Sequence, residues 1–260
     1  MAPAPRHSHK TAWALAAILV VQGAVIEGLS ADEGPVVAAA ASLRFVMPEL
    51  SRGFTEDTGH HVRFSVGASG NLARQALQGA PFQVFVAADE SYPQRLAEAG
   101  RIVGAPVIYA RGRLALFRSD GVVPILDDVR PAKSGRIAIA NPAHAPYGRA
   151  ARETLRHLSL WPLAGGRLVL GENAAQAAQF AFSGNVSWAL LPRSLVIDAK
   201  ARGRGRWVVV PADHHAPLDH AMVLLKGAGE TARAFFRFMQ GPGAGAVLAK
   251  YGFEAPRNSE

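Results

Sequence analysis

Residues 137–158, IAIANPAHAPYGRAARETLRHL, form the stretch that decides the fold. The apolar run 137–139 predicts a short buried strand, and the Pro-containing loop 141–146 ends it. A helix is predicted to begin at Tyr147, because apolar and small residues then recur at helical spacing. The first N–H groups of a helix have no acceptor within it and lie at the positive end of its dipole. This turn is therefore suited to binding an anion.

Three more turns follow the same plan, in which a strand ends and a helix begins. They lie at Ser42 after the apolar run 36–40, at Ser69 after the strand 61–66, and at Ala174 after the strand 168–170. Ser42 is expected to cap its helix. In a parallel sheet such turns lie at the carboxyl edge, where ligands bind. None of the four turns contains Lys or Arg. A bound anion would therefore be held by backbone N–H groups, hydroxyls and helix dipoles.

The order of these elements predicts an α/β protein with two domains. Residues 36–96 alternate strand, helix, strand, helix and strand, a βαβαβ unit with right-handed crossovers and a parallel sheet. Two closely spaced strand-like stretches within 107–117 mark the passage into a second domain, and the chain returns near Asp219. We therefore expect one lobe of residues 32–110 plus 220–260 and a second of residues 111–219.

Residues 1–31 have the pattern of a secretory signal peptide. Arg6 and Lys10 precede an uncharged run, residues 11–26, and small and polar residues follow up to Ala31. The run is about 16 residues long, short of the roughly 20 that span a bilayer, so an uncleaved anchor is the weaker interpretation. The sequence has no cysteine, which excludes disulfides and a lipid-modified cysteine. We expect a soluble exported protein, periplasmic in a cell with two membranes.

The formal net charge of +8 raises the question of nucleic-acid binding. Much of the surplus lies in Arg111, Arg113, Arg118 and the basic run 200–206, which has no aromatic residue between its charges. Because an exported protein meets little nucleic acid, we interpret these residues as a solvated basic face.

Catalysis by a serine nucleophile is the main competing interpretation. Ser42 or Ser69 could be activated by a histidine such as His60, His61 or His144. However, the sequence lacks the G-x-S-x-G motif of a nucleophile elbow, which the segment 67–70 misses by its spacing. A secreted serine hydrolase therefore stays as the alternative of a different class.

A metal site is a second alternative. The histidines His214, His215 and His220 lie close in sequence to Asp213 and Asp219, and such a mixed set could hold zinc. Adjacent histidines point apart on a strand, and the spacing fits no known motif. We predict a solvated loop and no metal. Iron(III) binding would require paired tyrosines, whereas the four tyrosines here are scattered. A transcription regulator's sensor domain would share the fold, but the leader and the missing helix-turn-helix region oppose it.

Several segments together resemble the periplasmic molybdate-binding proteins of ABC importers. The segments are AAASL at 39–43, GASGNLARQ at 67–75, VFVAADE at 84–90, IANPAHAPYG at 139–148 and GPGAGAVLAKYGF at 241–253. The similarity covers essentially the whole mature chain, and the NPxxAPYG loop resembles one branch of that family. It implies the type II periplasmic binding protein fold, in which each of two lobes is a mostly parallel sheet flanked by helices. The lobes close by a hinge on an oxyanion in the cleft between them.

The resemblance also implies ligand-binding residues. Ser42 matches a residue that donates its hydroxyl and its backbone N–H, and Ser69 matches a second hydroxyl donor. Tyr147 and Ala174 match residues that donate backbone N–H groups. At a fifth position some members have a tyrosine hydroxyl, where this chain has Leu190 or its neighbour. The Leu190 side chain cannot donate a hydrogen bond, which leaves the choice of anion more open.

These observations predict a solute-binding protein that captures molybdate, or tungstate, by lobe closure. It would deliver the ion to an inner-membrane ABC permease powered by a separate ATPase, act as a monomer without a cofactor, and catalyse no reaction. A site made only of donors accepts a dianion, whereas a singly protonated oxyanion leaves its hydroxyl unpaired at a cost of roughly 1–3 kcal/mol. Ion size then separates molybdate from the smaller sulfate, which is the nearest alternative ligand.

Overall fold

The computed structural model describes residues 34–129, 135–161, 165–201 and 203–256. These residues belong to one compact unit, residues 32–260. The predicted signal peptide, residues 1–31, lies outside the described residues and stays a prediction. No helix within the described ranges has the length and apolar character needed to cross a membrane.

The described residues form ten strands. They are β1 Val36–Ala40, β2 Arg63–Gly67, β3 Phe82–Val86, β4 Ile102–Gly112, β5 Leu114–Arg118, β6 Ile137–Ala140, β7 Leu168–Gly171, β8 Trp188–Pro192, β9 Arg206–Val209 and β10 Leu218–Leu225. They make two five-stranded sheets, of order β2-β1-β3-β10-β4 and β7-β6-β8-β5-β9. In each sheet three neighbouring strands run parallel, the fourth strand, β10 or β5, is antiparallel to them, and the edge strand beyond it, β4 or β9, again runs in their direction. The predicted βαβαβ unit and the two mostly parallel sheets are confirmed.

Helices cover both sheets. They are α1 Met47–Thr58, α2 Ser69–Leu77, α3 Ser91–Glu98, α4 Pro146–His157, α5 Ala174–Phe182, α6 Arg193–Ala201, α7 Glu230–Phe238 and α8 Pro242–Lys250. Helix α4 begins within one residue of the predicted position. Helix α6 was not predicted, because its residues follow β8 without a capping or turn signal.

The apolar faces of these helices build the core around the sheets. On the first sheet, the ring of Phe54 in α1 meets that of Phe235 in α7 edge-on, with centroids 5.3 Å apart, and both side chains are fully buried. On the second sheet, Ile137 and Ile139 of β6 pack in one cluster with Leu155 of α4. Burial of such side chains contributes about 1.5–3 kcal/mol each and holds the helices against the sheets.

Only a few residues connect the two sheets. Arg113 alone separates β4 in the first sheet from β5 in the second, and the chain returns to the first sheet at β10. The guanidinium of Arg111 on β4 makes a two-pronged ion pair with Asp219 on β10, at 2.6 and 2.8 Å. The chain thus crosses between the sheets at Arg113 and again between β9 and β10, and the division into two lobes stays a prediction.

The helix cap predicted at Ser42 is wrong. Ser42 lies inside a 3-10 turn, Ala41–Leu43, whose N-cap is Ala40, and α1 begins only at Met47. Phe45, which follows this turn, packs against residues around the second sheet. A short strand followed by a tight turn leaves Ser42 at the end of β1, not in the first turn of α1.

A glycine at position 148 allows α4 to lie close to β6. A Cβ atom there would overlap with the carbonyl oxygen of Ala140, at the end of β6. We expect Gly148→Ala to lower the free energy of unfolding by about 1–3 kcal/mol, the usual cost of overpacking. Urea denaturation measures this change.

Gly166→Ala is the matched control. A Cβ atom at Gly166 would meet no heavy atom within 4 Å, and its φ is not in the left-handed region. We expect this variant to differ from the wild type by less than about 0.5 kcal/mol, as surface substitutions usually do. Equal losses in the two variants would contradict the close contact between α4 and β6.

Candidate functional site

A small cavity lies where the parallel strands of both sheets end. The space between the lining atoms is about 200 Å³, which includes open solvent at its mouth. Its walls come from the residues after β1, β2 and β3 in the first sheet and from those after β6 and β7 in the second. The lining residues are Ala40, Ala41, Ser42, Gly67, Ala68, Ser69, Ala88, Ala145, Pro146, Tyr147 and Ala174. Four of the five predicted site residues are thus brought together around one cavity.

Three of the helical segments that begin at the cavity have alanine at the N-cap. Ala40 precedes the 3-10 turn, Ala68 precedes α2 and Ala145 precedes α4, and none of the three is capped by a side-chain hydrogen bond. Ser, Thr, Asp or Asn at an N-cap usually stabilises a helix by about 1 kcal/mol relative to alanine. The first N–H groups of these helices therefore lack the usual side-chain acceptor at the cavity wall.

Ser42 is 1% exposed, and its hydroxyl has no hydrogen-bond partner among the described residues. Its backbone carbonyl is held by α6, because the Ser194 hydroxyl donates to it at 2.6 Å. A buried hydroxyl without a partner costs about 1–3 kcal/mol. An acceptor bound in the cavity would satisfy this group.

The Ser69 hydroxyl already accepts one hydrogen bond. The backbone N–H of Ala88 donates to the Ser69 oxygen at 3.1 Å, and both residues line the cavity. Because a hydroxyl carries one donor as well as its acceptor lone pairs, the hydrogen of Ser69 can still be donated. Ser69 can therefore donate this hydrogen to a ligand.

Tyr147 and Ala174 each lie in the first turn of a helix that follows a strand of the second sheet. Tyr147 is the second residue of α4, and Ala174 is the first of α5. Asn173 caps α5, and its side-chain oxygen accepts from Ala175 and Gln176 at 3.0 and 3.1 Å. That cap leaves the N–H of Ala174 to another acceptor.

Among the described residues that line the cavity, none carries a charge. They are alanines, glycine, serines, proline and a tyrosine, so every polar group that the cavity offers beyond backbone carbonyls is a backbone N–H group or a neutral hydroxyl, each of which can donate. Such a wall suits an anion that accepts from all sides and donates nothing.

The fifth predicted residue, Leu190, is not among the lining residues. It lies on β8 between Leu116 and Ile139 of the neighbouring strands and is 2% exposed. Its ligand-binding role therefore stays a prediction.

The two halves touch each other around the cavity. The N–H of Gly70 in α2 donates to the carbonyl of His144 at 2.9 Å, and Asn71 donates to Glu172 at 2.6 Å. Each bond joins a residue near the first sheet to one near the second. These contacts hold the halves together.

A third contact between the halves is an ion pair. Arg149 of α4 pairs with Asp89, which follows β3, and also donates to the Tyr92 hydroxyl at 3.1 Å. The Arg149 guanidinium lies 5.4 Å from the centre of the Tyr92 ring.

Sequence reasoning missed a buried network behind the cavity. His220 of β10 is fully buried, and its ring nitrogens lie within hydrogen-bond distance of two tyrosine hydroxyls. Nδ1 is 3.0 Å from Tyr109 and Nε2 is 3.2 Å from Tyr147. Burial lowers the pKa of His220 to about 3, although nearby Asp219 acts in the opposite direction. Burial likewise raises the pKa values of Tyr109 and Tyr147, so the network is neutral near pH 7.

The solvated loop predicted for the histidines 214, 215 and 220 is wrong for two of them. His220 is on a strand in the interior, and His215 is buried with Nδ1 2.8 Å from the carbonyl oxygen of Ala216. His214 stacks on the ring of His157, with centroids 4.0 Å apart. Within the described part of the chain, no three or more potential metal ligands come together.

Comparison with known proteins gives consistent matches. The profile of the family described as bacterial extracellular solute-binding proteins matches residues 35–254. A molybdate-binding protein ModA from Rhodobacter capsulatus is 38% identical over 240 residues, 88% of this chain and 93% of the relative. ModA from Azotobacter vinelandii is 36% identical over 248 residues, 93% of this chain and 98% of the relative. The solved structure of an Azotobacter vinelandii periplasmic molybdate-binding protein has a TM-score of 0.80 at 32% identity, covering 86% of this chain and 100% of that chain.

The buried His220 predicts a pH dependence of stability. Its folded pKa of about 3 is below the ordinary value of 6.5, so between these values the unfolded chain binds a proton that the folded chain does not. Stability should therefore fall as the pH falls from about 6.5 towards 3, by on the order of 1 kcal/mol per pH unit from this group.

His220→Gln isolates this contribution, because the other histidines titrate in both proteins. Urea unfolding near pH 7 and near pH 4.5 should give a smaller loss of stability for the variant than for the wild type, by about 1–3 kcal/mol. Equal losses would mean that His220 does not resist protonation in the folded protein.

Proposed function

The chain belongs to the bacterial extracellular solute-binding proteins, and on that premise we propose that it captures molybdate in the cavity between its sheets. It then presents the ion to an ABC permease in the membrane. Two relatives that match most of the chain are named molybdate-binding proteins, which supports this ligand. We propose that Ser42, Ser69, Tyr147 and Ala174 hold it.

The unpartnered hydroxyl of Ser42 is the observation that carries this proposal. A buried donor without an acceptor destabilises the protein unless a ligand supplies the acceptor. The same cavity is lined by the starts of two helices and of a 3-10 turn without side-chain caps, together with a second serine hydroxyl that can donate its hydrogen. A tetrahedral dianion has acceptors in all of these directions.

The chemistry of the wall also selects among oxyanions. Molybdate, tungstate and sulfate are dianions near pH 7 and donate nothing, whereas a protonated phosphate carries a hydrogen that this wall gives no charged acceptor. Among the dianions, the larger molybdate and tungstate would reach donors that sulfate reaches only with stretched hydrogen bonds. We therefore place molybdate and tungstate ahead of sulfate.

We further propose that binding closes two lobes, residues 32–110 plus 220–260 and residues 111–219. The hydrogen bonds and the ion pair between the halves would then stabilise the closed form. The protein would act as a monomer without a cofactor in the periplasm, after loss of the predicted signal peptide. The permease would be driven by a separate ATPase, and the binding protein would catalyse no reaction.

The serine hydrolase alternative finds little support in the site. No described hydrogen bond joins a histidine to Ser42 or Ser69. His144 lies in the second half with Nε2 2.8 Å from the carbonyl oxygen of Glu172, and His61 contacts Thr55. A serine nucleophile would need a base within hydrogen-bond reach, and neither serine has one.

Ser42→Ala should separate binding from stability. We expect the affinity for molybdate to fall by about 10- to 100-fold, because a hydrogen bond to a charged group contributes about 1.5–3 kcal/mol. We expect the melting temperature without ligand to stay the same or rise, because the substitution removes an unpaired buried hydroxyl. Isothermal titration and thermal unfolding measure the two effects.

Ser183→Ala is the matched control for Ser42→Ala. Ser183 follows α5, and its exposed hydroxyl donates to the carbonyl of Phe180, outside the cavity. This variant should bind molybdate as the wild type does. No heat from the wild type with molybdate, tungstate or sulfate would contradict the proposed function.

Arg149→Ala should weaken the closed form. We expect about two- to fivefold weaker molybdate binding through faster release, because ion pairs near a surface contribute up to about 1 kcal/mol. Stopped-flow measurement of molybdate dissociation tests this. Arg95→Ala is the control, because Arg95 also lies over the Tyr92 ring, at 5.3 Å, but belongs to the same half as Tyr92. Equal release rates in Arg149→Ala and the wild type would contradict a role in closure.

A further inference from the structure

The side chain of His220 links three elements: β10, on which it lies, the neighbouring strand β4, and the start of α4. The ring lies on β10, Tyr109 lies on β4, and Tyr147 lies on α4 beyond the crossing. His220 bonds to both hydroxyls, and the Phe253 ring packs edge-on against it with centroids 5.0 Å apart. The imidazole thus bridges the two halves of the protein inside the core.

The hydrogen bonds of this network have one consistent direction. The Tyr109 hydroxyl donates to the carbonyl of Ala87 at 3.3 Å, so it accepts from the Nδ1–H group of His220. A neutral imidazole with its hydrogen on Nδ1 has an acceptor at Nε2. The Tyr147 hydroxyl therefore donates to Nε2, and the chain of bonds runs from Tyr147 through His220 and Tyr109 to Ala87.

Both ends of this chain of bonds reach the cavity wall. Tyr147 lines the cavity at one end. At the other end, Ala87 precedes Ala88, which also lines the cavity and whose N–H donates to the Ser69 hydroxyl. The two ends therefore lie next to proposed ligand donors from different halves.

Gly112, at the end of β4, makes room for the pair of Tyr147 and His220. A Cβ atom at this position would overlap with the Tyr147 hydroxyl and would lie 2.8 Å from Nε2 of His220. The absence of a side chain at Gly112 therefore lets the Tyr147 hydroxyl reach His220.

We propose that His220 is a positioning residue, which sets the place of Tyr147, and with it the first turn of α4, for ligand binding. This inference rests on the proposed function, because the position matters through the backbone N–H that Tyr147 offers to the oxyanion. His220 itself is not among the residues that line the cavity.

Substitutions at both ends of the hydrogen bond between Tyr147 and His220 test the proposal. Tyr147→Phe keeps the ring and the backbone N–H but removes the hydroxyl, and we expect molybdate binding about tenfold weaker than in the wild type. His220→Leu, which can neither donate nor accept, should lose at least as much. His220→Gln, which can do both, should recover most of the affinity.

The double variant Tyr147→Phe/His220→Leu gives the decisive comparison. If the two residues act through one hydrogen bond, the double variant binds molybdate no more weakly than His220→Leu alone. Independent, multiplying losses would overturn the proposal. Tyr251→Phe is the control, because its hydroxyl bonds to Glu49 away from the cavity, and it should bind as the wild type does.

Two further outcomes separate this inference from the function on which it rests. Wild-type affinity in Tyr147→Phe would overturn the positioning role while leaving molybdate binding intact, even if His220→Leu fails to fold. A wild-type protein that does not bind molybdate would overturn the proposed function, and the positioning role with it.

Discussion

Backbone N–H groups at a helix start need an acceptor, and alanine at the N-cap supplies none. This protein places such a 3-10 turn and two such helices around one cavity, and adds a buried serine hydroxyl that has no hydrogen-bond partner among the described residues. The donors come from both sheets, so no single lobe can satisfy them. A shared acceptor between the halves satisfies them together, and this requirement connects the fold to ligand capture.

The mixed sheets follow from the same arrangement. The parallel strands β1, β2 and β3 of the first sheet and β6 and β7 of the second end at the cavity, while β4, β5 and β10 carry the chain between the halves. The ion pair of Arg111 and Asp219 fixes the crossing on one side, and the bonded ring of His220 fixes it in the interior. The strand ends that line the cavity therefore lie next to the strands that connect the two halves.

Local signals predicted most of the fold. The NPxxAPYG loop and the apolar run before it gave β6 and α4 nearly to the residue, because Pro and Gly act on their own neighbours. The site residues Ser42, Ser69, Tyr147 and Ala174 came from motifs and a family resemblance, and they meet at one cavity. The role of His220 could not be predicted, since its partners are 73 and 111 residues away in sequence. The 3-10 turn at Ser42 likewise depends on packing between the halves.

The central claim is that these donors surround one oxyanion. Crystals grown with tungstate, measured at the tungsten absorption edge, would locate the ion directly by its anomalous scattering. The account predicts one strong peak within hydrogen-bond distance of the Ser42 and Ser69 hydroxyls and of the backbone N–H groups of Tyr147 and Ala174. A peak elsewhere in the protein, with the cavity empty, would contradict it.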